Sequence, residues 1–101
     1  MSENPSNQRM PVLVNTNTNE RVTLTASVAI GRAPECQIVL PDDGYVSAEH
    51  ARVFWENGWW IEDTNSSNGT YVNSDLLSAG ARRQLAPNDQ IKIGHTVFRI
   101  E

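Results

Sequence analysis

The chain is a succession of short β-prone runs cut apart by turn signals, and this pattern confines it to an all-β fold. The clearest instance is Ala51-Arg52-Val53-Phe54-Trp55-Glu56, then Asn57-Gly58, then Trp59-Trp60-Ile61-Glu62-Asp63. Asn-Gly between two aromatic and β-branched runs predicts a hairpin, because a two-residue turn of the right twist needs residues that accept positive φ. Such a turn sets Trp55 opposite Trp60 and Phe54 opposite Ile61. Both faces then carry large apolar groups, so the sequence leaves open which of them meets the core, and a longer loop would change the pairing.

The other runs follow the same rhythm. Pro11-Val12-Leu13-Val14 and Val22-Thr23-Leu24-Thr25 flank a polar loop, Asn15 to Asn19, and read as a hairpin. Ser27-Val28-Ala29-Ile30 closes on Gly31, and Gln37-Ile38-Val39-Leu40 ends at Pro41 and the turn Asp42-Asp43-Gly44. Thr70-Tyr71-Val72 follows a second Asn-Gly, and Ala81 to Leu85 reads as another strand. Ile91-Lys92-Ile93, Gly94-His95 and Thr96 to Ile100 form a last hairpin. The one candidate for a helical period, Ser74 to Leu85, contains Gly80 and lacks a sustained apolar stripe. Many short strands at even spacing predict an antiparallel β-sandwich or barrel, in which polar loops gather at the ends of the sheets.

A length of 101 residues is enough for one domain with one core. Residues 1–10, polar and rich in Ser and Asn, are expected to form a disordered tail, and residues 11–101 the folded domain. No apolar run approaches the roughly 20 residues of a membrane span, and the N-terminus lacks an apolar leader segment. The expected setting is therefore cytoplasmic, or the cytoplasmic part of a larger, multidomain protein, without membrane insertion. The net charge is −4 and the basic residues are scattered, which argues against a nucleic-acid partner. Cys36 is the single cysteine, so no intrachain disulfide forms, and neither a metal nor a cofactor is expected.

Three polar motifs stand between the strands: Gly31-Arg32, Ser47-Ala48-Glu49-His50, and Thr64-Asn65-Ser66-Ser67-Asn68-Gly69-Thr70. Arg32, after a strand end, can present a guanidinium fork. Ser47 and Ser67 can donate hydroxyl hydrogen bonds, Asn68 can hold a peptide backbone, and His50 can brace a loop. Asn73, past a short strand, can brace a neighbouring loop. Together they supply one cation and several directed neutral donors, a set suited to a tetrahedral oxyanion such as phosphate on a protein partner. A Ser47–His50–Asp63 triad is formally available. However, no strained Gly-x-Ser-x-Gly elbow accompanies it, so a binding module without catalysis is expected.

The ordered set Gly31-Arg32, Ser47-x-x-His50, Asp63-x-x-Ser66-Ser67-Asn68-Gly69-Thr70-x-Val72-Asn73 resembles the forkhead-associated (FHA) domain. The closing Leu85, Asn88-Asp89-x-Ile91-x-Ile93-Gly94 is similar as well, so the resemblance runs from about Val12 to Ile100. It implies a β-sandwich of about eleven strands that binds phosphothreonine peptides through loops at one end. Carried over by motif, Arg32 and Ser47 should contact the phosphate with help from Ser67, and Asn68 should bond the peptide main chain. Gly31, His50, Gly69 and Asn73 should support the site structurally. One departure is Ala48, where the family often carries a basic or polar residue that adds a phosphate contact. It leaves an alternative in view: an FHA-like domain used for phosphate-independent protein contact or dimerisation.

Overall fold

The computed structural model describes residues 10–101. The tail expected over residues 1–10 therefore lies, apart from Met10, outside the described residues. Eleven strands carry the fold: β1 Val12–Asn15, β2 Arg21–Thr23, β3 Val28–Gly31, β4 Ile38–Val39, β5 Ala51–Trp55, β6 Trp59–Asp63, β7 Thr70–Val72, β8 Asp75–Leu77, β9 Arg82–Gln84, β10 Gln90–Ile93 and β11 Thr96–Ile100. They form two packed sheets, one ordered β2-β1-β11-β10-β7-β8 and the other β4-β3-β5-β6-β9. Among the described residues no helix is long and apolar enough to cross a membrane.

Alternation along the strands builds the core. Leu13, Ile91, Ile93, Phe98 and Ile100 of the larger sheet meet Val28, Ile30, Val53 and Ile61 of the smaller one. Each fully buried aliphatic or aromatic side chain is worth about 1.5–3 kcal/mol relative to exposure. Opposed edges of the two sheets are tied by an ion pair from Arg83 of β9 to Asp75 of β8, at 3.0 Å.

Several local expectations are corrected. In the β5–β6 hairpin, Trp55 pairs with Trp59, Phe54 with Trp60 and Val53 with Ile61, not Trp55 with Trp60. The loop has three residues, Glu56 to Gly58. Gly58 takes φ 137°, beyond the range a two-residue type I′ turn uses, and the Glu56 N–H donates to the Gly58 carbonyl at 2.8 Å. This register decides the core face: Ala51, Val53, Ile61 and Asp63 point inward together. Phe54 is buried on the opposite face, where the guanidinium carbons of Arg52 and Arg82 lie 4.6 and 5.0 Å from its ring centre. Glu62 and Glu56 pin those arginines. β8 is an additional strand within the segment read as non-helical, and β4 pairs with β3 in parallel, an exception to the antiparallel rule elsewhere.

The topology gives the sandwich two distinct ends. At one end lie the β1–β2, β3–β4, β4–β5 and β6–β7 loops and the β10–β11 turn. At the other, Val12 and Glu101 exchange backbone hydrogen bonds at 3.3 and 2.8 Å.

Candidate functional site

The loop end is organised by two fully buried polar side chains, Asp63 and His50. Asp63, the last residue of β6, accepts four hydrogen bonds: the N–H groups of Asn65 (2.9 Å) and Ser66 (2.8 Å) and the hydroxyls of Ser66 (2.5 Å) and Thr70 (2.8 Å). The Ser66 hydroxyl oxygen in turn accepts the Gly69 N–H at 2.9 Å. The β6–β7 loop is thus wound around one carboxylate. Its reversal places Asn65 at φ 76° and Gly69 at φ 87°, the left-handed region that asparagine tolerates and glycine favours.

His50 joins that loop to the next. Its Nδ1 accepts the Ser47 N–H at 3.0 Å, so the ring proton of the neutral form sits on Nε2, which donates to the Gly69 carbonyl at 2.8 Å. One imidazole therefore holds both Ser47 and Gly69. The β3–β4 loop is secured to the β4–β5 loop chiefly through its backbone. Arg32 N–H donates to the Ser47 carbonyl at 2.9 Å and Ala33 N–H to the Ala48 carbonyl at 3.1 Å. Gly31 is required by this close approach: a Cβ there would stand 2.1 Å from the Ala48 carbonyl oxygen. Cys36 packs beneath the same strap, its Sγ 3.4 Å from that oxygen. Burial, with Glu49 and Glu35 nearby, raises its pKa and keeps it a neutral thiol.

These contacts bring Arg32, Ser47, Ser67 and Asn68 to one mouth. Ser67 N–H donates to Ser47 Oγ at 3.0 Å, which occupies that oxygen as an acceptor and leaves the Ser47 hydroxyl hydrogen available. Asn68 Nδ2 donates to the Tyr45 carbonyl at 3.0 Å, which fixes the amide orientation and leaves Oδ1 available. Arg32 is exposed, and it is the one arginine among the described residues without a carboxylate partner. Arg21, Arg52, Arg82, Arg83 and Arg99 all form ion pairs.

Asn73 stands apart from this mouth. Its side chain bonds Asp89 (2.9 Å) and the Gln90 N–H (3.0 Å), so it braces the β7–β8 turn against the β9–β10 loop at the far end of β7. Nor is a Ser–His–Asp relay assembled. Both nitrogens of His50 meet backbone groups, and Asp63 is spent on the loop. Sequence reasoning missed the organising role of Asp63 and the part played by Tyr45. An Asp followed two and three residues later by Asn and Ser is an Asx-turn signal that marks the first; the second depends on tertiary contact.

A sequence model of the FHA domain matches residues 28–94, a span that holds every residue of the mouth. The chain belongs to the FHA domain family. The FHA domain-containing protein FhaB of Mycobacterium tuberculosis is 35% identical over 85 residues, covering 82% of this chain and 53% of FhaB. The chain thus spans about half the length of that relative. A structure from a study of phosphothreonine-dependent FHA domain interactions superposes with a TM-score of 0.79 at 30% identity, covering 91% of this chain and 95% of that one. Mycobacterium tuberculosis EmbR, solved in complex with a low-affinity phosphopeptide, gives a TM-score of 0.85 at 28% identity, covering 93% of this FHA domain and 24% of EmbR.

Proposed function

We propose that this FHA domain is a phosphothreonine-peptide-binding module that mediates phosphorylation-dependent protein contact and catalyses no reaction. The observation that carries the reading is Arg32: an exposed arginine with no carboxylate partner among the described residues, its backbone N–H bonded to the Ser47 carbonyl, so that it joins the loops already tied together through His50 and Asp63. Arg32 and Ser47 bind the phosphate with Ser67 assisting, and Asn68 Oδ1 accepts a main-chain N–H of the peptide. The neighbouring structures, one from a study of phosphothreonine-dependent FHA domain interactions and one of EmbR with a low-affinity phosphopeptide, support this assignment. The partner is a protein phosphorylated on threonine in the cytoplasm, met by this domain as part of a larger multidomain protein.

A charge-assisted hydrogen bond contributes about 1.5–3 kcal/mol. Arg32→Ala should therefore weaken a phosphothreonine peptide at least about tenfold, and the unphosphorylated peptide should not bind. The test is an NMR titration of the labelled domain with a degenerate phosphothreonine library and its unphosphorylated counterpart. Shifts at Arg32, Ser47, Ser67 and Asn68 with the phosphorylated set alone are expected. Equal shifts with both sets, or none, would overturn the reading in favour of phosphate-independent contact.

A further inference from the structure

The β4–β5 loop carries Ser47 and His50, and its apex, Asp42 to Tyr45, meets the site described above through the Tyr45 carbonyl. A single carboxylate fixes it. Asp43 Oδ2 accepts the His95 N–H of the β10–β11 turn at 2.6 Å. Asp43 Oδ1 accepts the Tyr45 N–H at 3.0 Å and lies 3.1 Å from His95 Nδ1. The Asp43 side chain is only 12% exposed, although the His95 side chain it holds is 71% exposed. The Tyr45 ring stands edge-on to the His95 imidazole, 4.9 Å between centres. The carbonyl of the same Tyr45 receives the Asn68 amide.

We propose that Asp43 is a positioning residue of the phosphopeptide site: it clasps the β4–β5 loop to the β10–β11 turn and so holds the Tyr45 carbonyl that orients Asn68. This rests on the reading of the mouth as a phosphopeptide receptor. The chain of contacts runs from His95 to Asp43, from Asp43 to the Tyr45 backbone, and from the Tyr45 carbonyl to Asn68 Nδ2. Only the NH2 end of an amide can donate to a carbonyl. A fixed Tyr45 carbonyl therefore leaves Asn68 Oδ1 presented to the incoming peptide, whereas a loose one lets the amide turn over and offer the wrong end.

Gly94 independently marks the clasp. It takes φ 60°, as the first residue of a two-residue turn with His95 second, and a Cβ there would lie 2.5 Å from Asp43 Oδ2 and 2.7 Å from Val46 Cγ2. The carboxylate reaches His95 only because the turn has no side chain at that point. The hydrogen bond from the His95 N–H, joined by those from Tyr45 and the His95 ring, outweighs partial burial and keeps the Asp43 carboxyl below its ordinary range. The clasp is thus ionised at neutral pH.

The test is a double-mutant cycle on the whole domain, comparing wild type, Asp43→Ala, Asn68→Ala and the pair. Calorimetric titration uses one phosphothreonine peptide selected from the library by the wild type. Asp43→Ala is expected to weaken binding about two- to tenfold, the range of one or two neutral hydrogen bonds. In the Asn68→Ala background it should have no further effect, because the two residues act through one contact. Asp43→Asn, which keeps one acceptor oxygen, should fall between wild type and Asp43→Ala; it replaces Asp43→Ala throughout if the latter does not fold. In the ligand-free domain, the Asn68 side-chain amide signals should move in either Asp43 variant. Wild-type affinity in Asp43→Ala, losses that multiply in the pair, or an unmoved Asn68 amide would each overturn the inference while leaving the receptor reading intact. A wild type that binds no phosphothreonine peptide would overturn that reading, and the inference with it.

Discussion

Asp63 is a buried carboxylate with no ion-pair partner among the described residues, and its four donors explain how it is tolerated. Truncation to Asp63→Ala strands two backbone N–H groups and two hydroxyls. With about 1–3 kcal/mol for each buried group left unsatisfied, a loss of at least about 3 kcal/mol in urea unfolding is expected. Asp63→Asn keeps an acceptor for the two N–H groups and should cost clearly less. Asp43 gives a pH prediction. Its folded pKa lies below the unfolded value of about 3.9. The stability it contributes is therefore complete above that value and is lost as pH falls through the lower folded one. The Asp43 side-chain carboxyl carbon signal should show a titration midpoint below the ordinary aspartate value of about 3.9. A carboxyl midpoint at or above that value would refute the prediction. At this scale the sequence was readable where a residue acts on neighbours close in the chain. Arg32, Ser47, Ser67 and Asn68 were singled out as candidates through short motifs, whereas the Asp43–His95 contact joins residues too far apart for any local pattern to reveal.

The β5–β6 hairpin shows what a turn motif does and does not determine. Asn57-Gly58 marked the reversal correctly, but the strand register followed from a third loop residue, Glu56, and from the need to turn Val53 and Ile61 inward. Once Arg52 and Arg82 flank Phe54, both faces of the hairpin can carry aromatic groups, which is why hydropathy alone did not choose between them. Asn57 sits at φ 53°. Asn57→Ala should destabilise the domain by about 1 kcal/mol, while Asn57→Gly should be near neutral; thermal melts of the two variants check this. β8 was not anticipated because Asp75 and Leu76 face solvent and Leu77 alone points inward. The parallel pairing of β3 with β4 arises because the chain between them returns to the starting end, a path no local periodicity encodes.

Over the whole molecule, charge is divided by position. Most arginines are matched with carboxylates along the sheets and at their edges. At the loop end, Glu20, Glu35, Asp42 and Glu49 have no basic partner among the described residues, and Arg32, on the same end, is exposed and has no carboxylate partner among them. A doubly charged phosphate therefore meets one cation in an acidic surround. Phosphothreonine peptides with Lys or Arg beside the phosphothreonine should bind more tightly than those with Asp or Glu. The difference should shrink with added salt, because the screening length falls to about 8 Å near 0.15 M. Calorimetric titrations at two ionic strengths provide the check, and equal affinity for both peptide sets at low salt would refute the prediction.

The reciprocal bonds between Val12 and Glu101 also have a mechanical meaning. β1 and β11 are antiparallel neighbours that begin and end at the edge remote from the ligand loops. Tension applied through both ends of the domain would open this pair like a zipper, one rung at a time from Val12–Glu101 inward, rather than shear all rungs together. Force transmitted along a longer polypeptide would thus reach the terminal strands first, and the recognition loops would stay unstrained until those strands had peeled away.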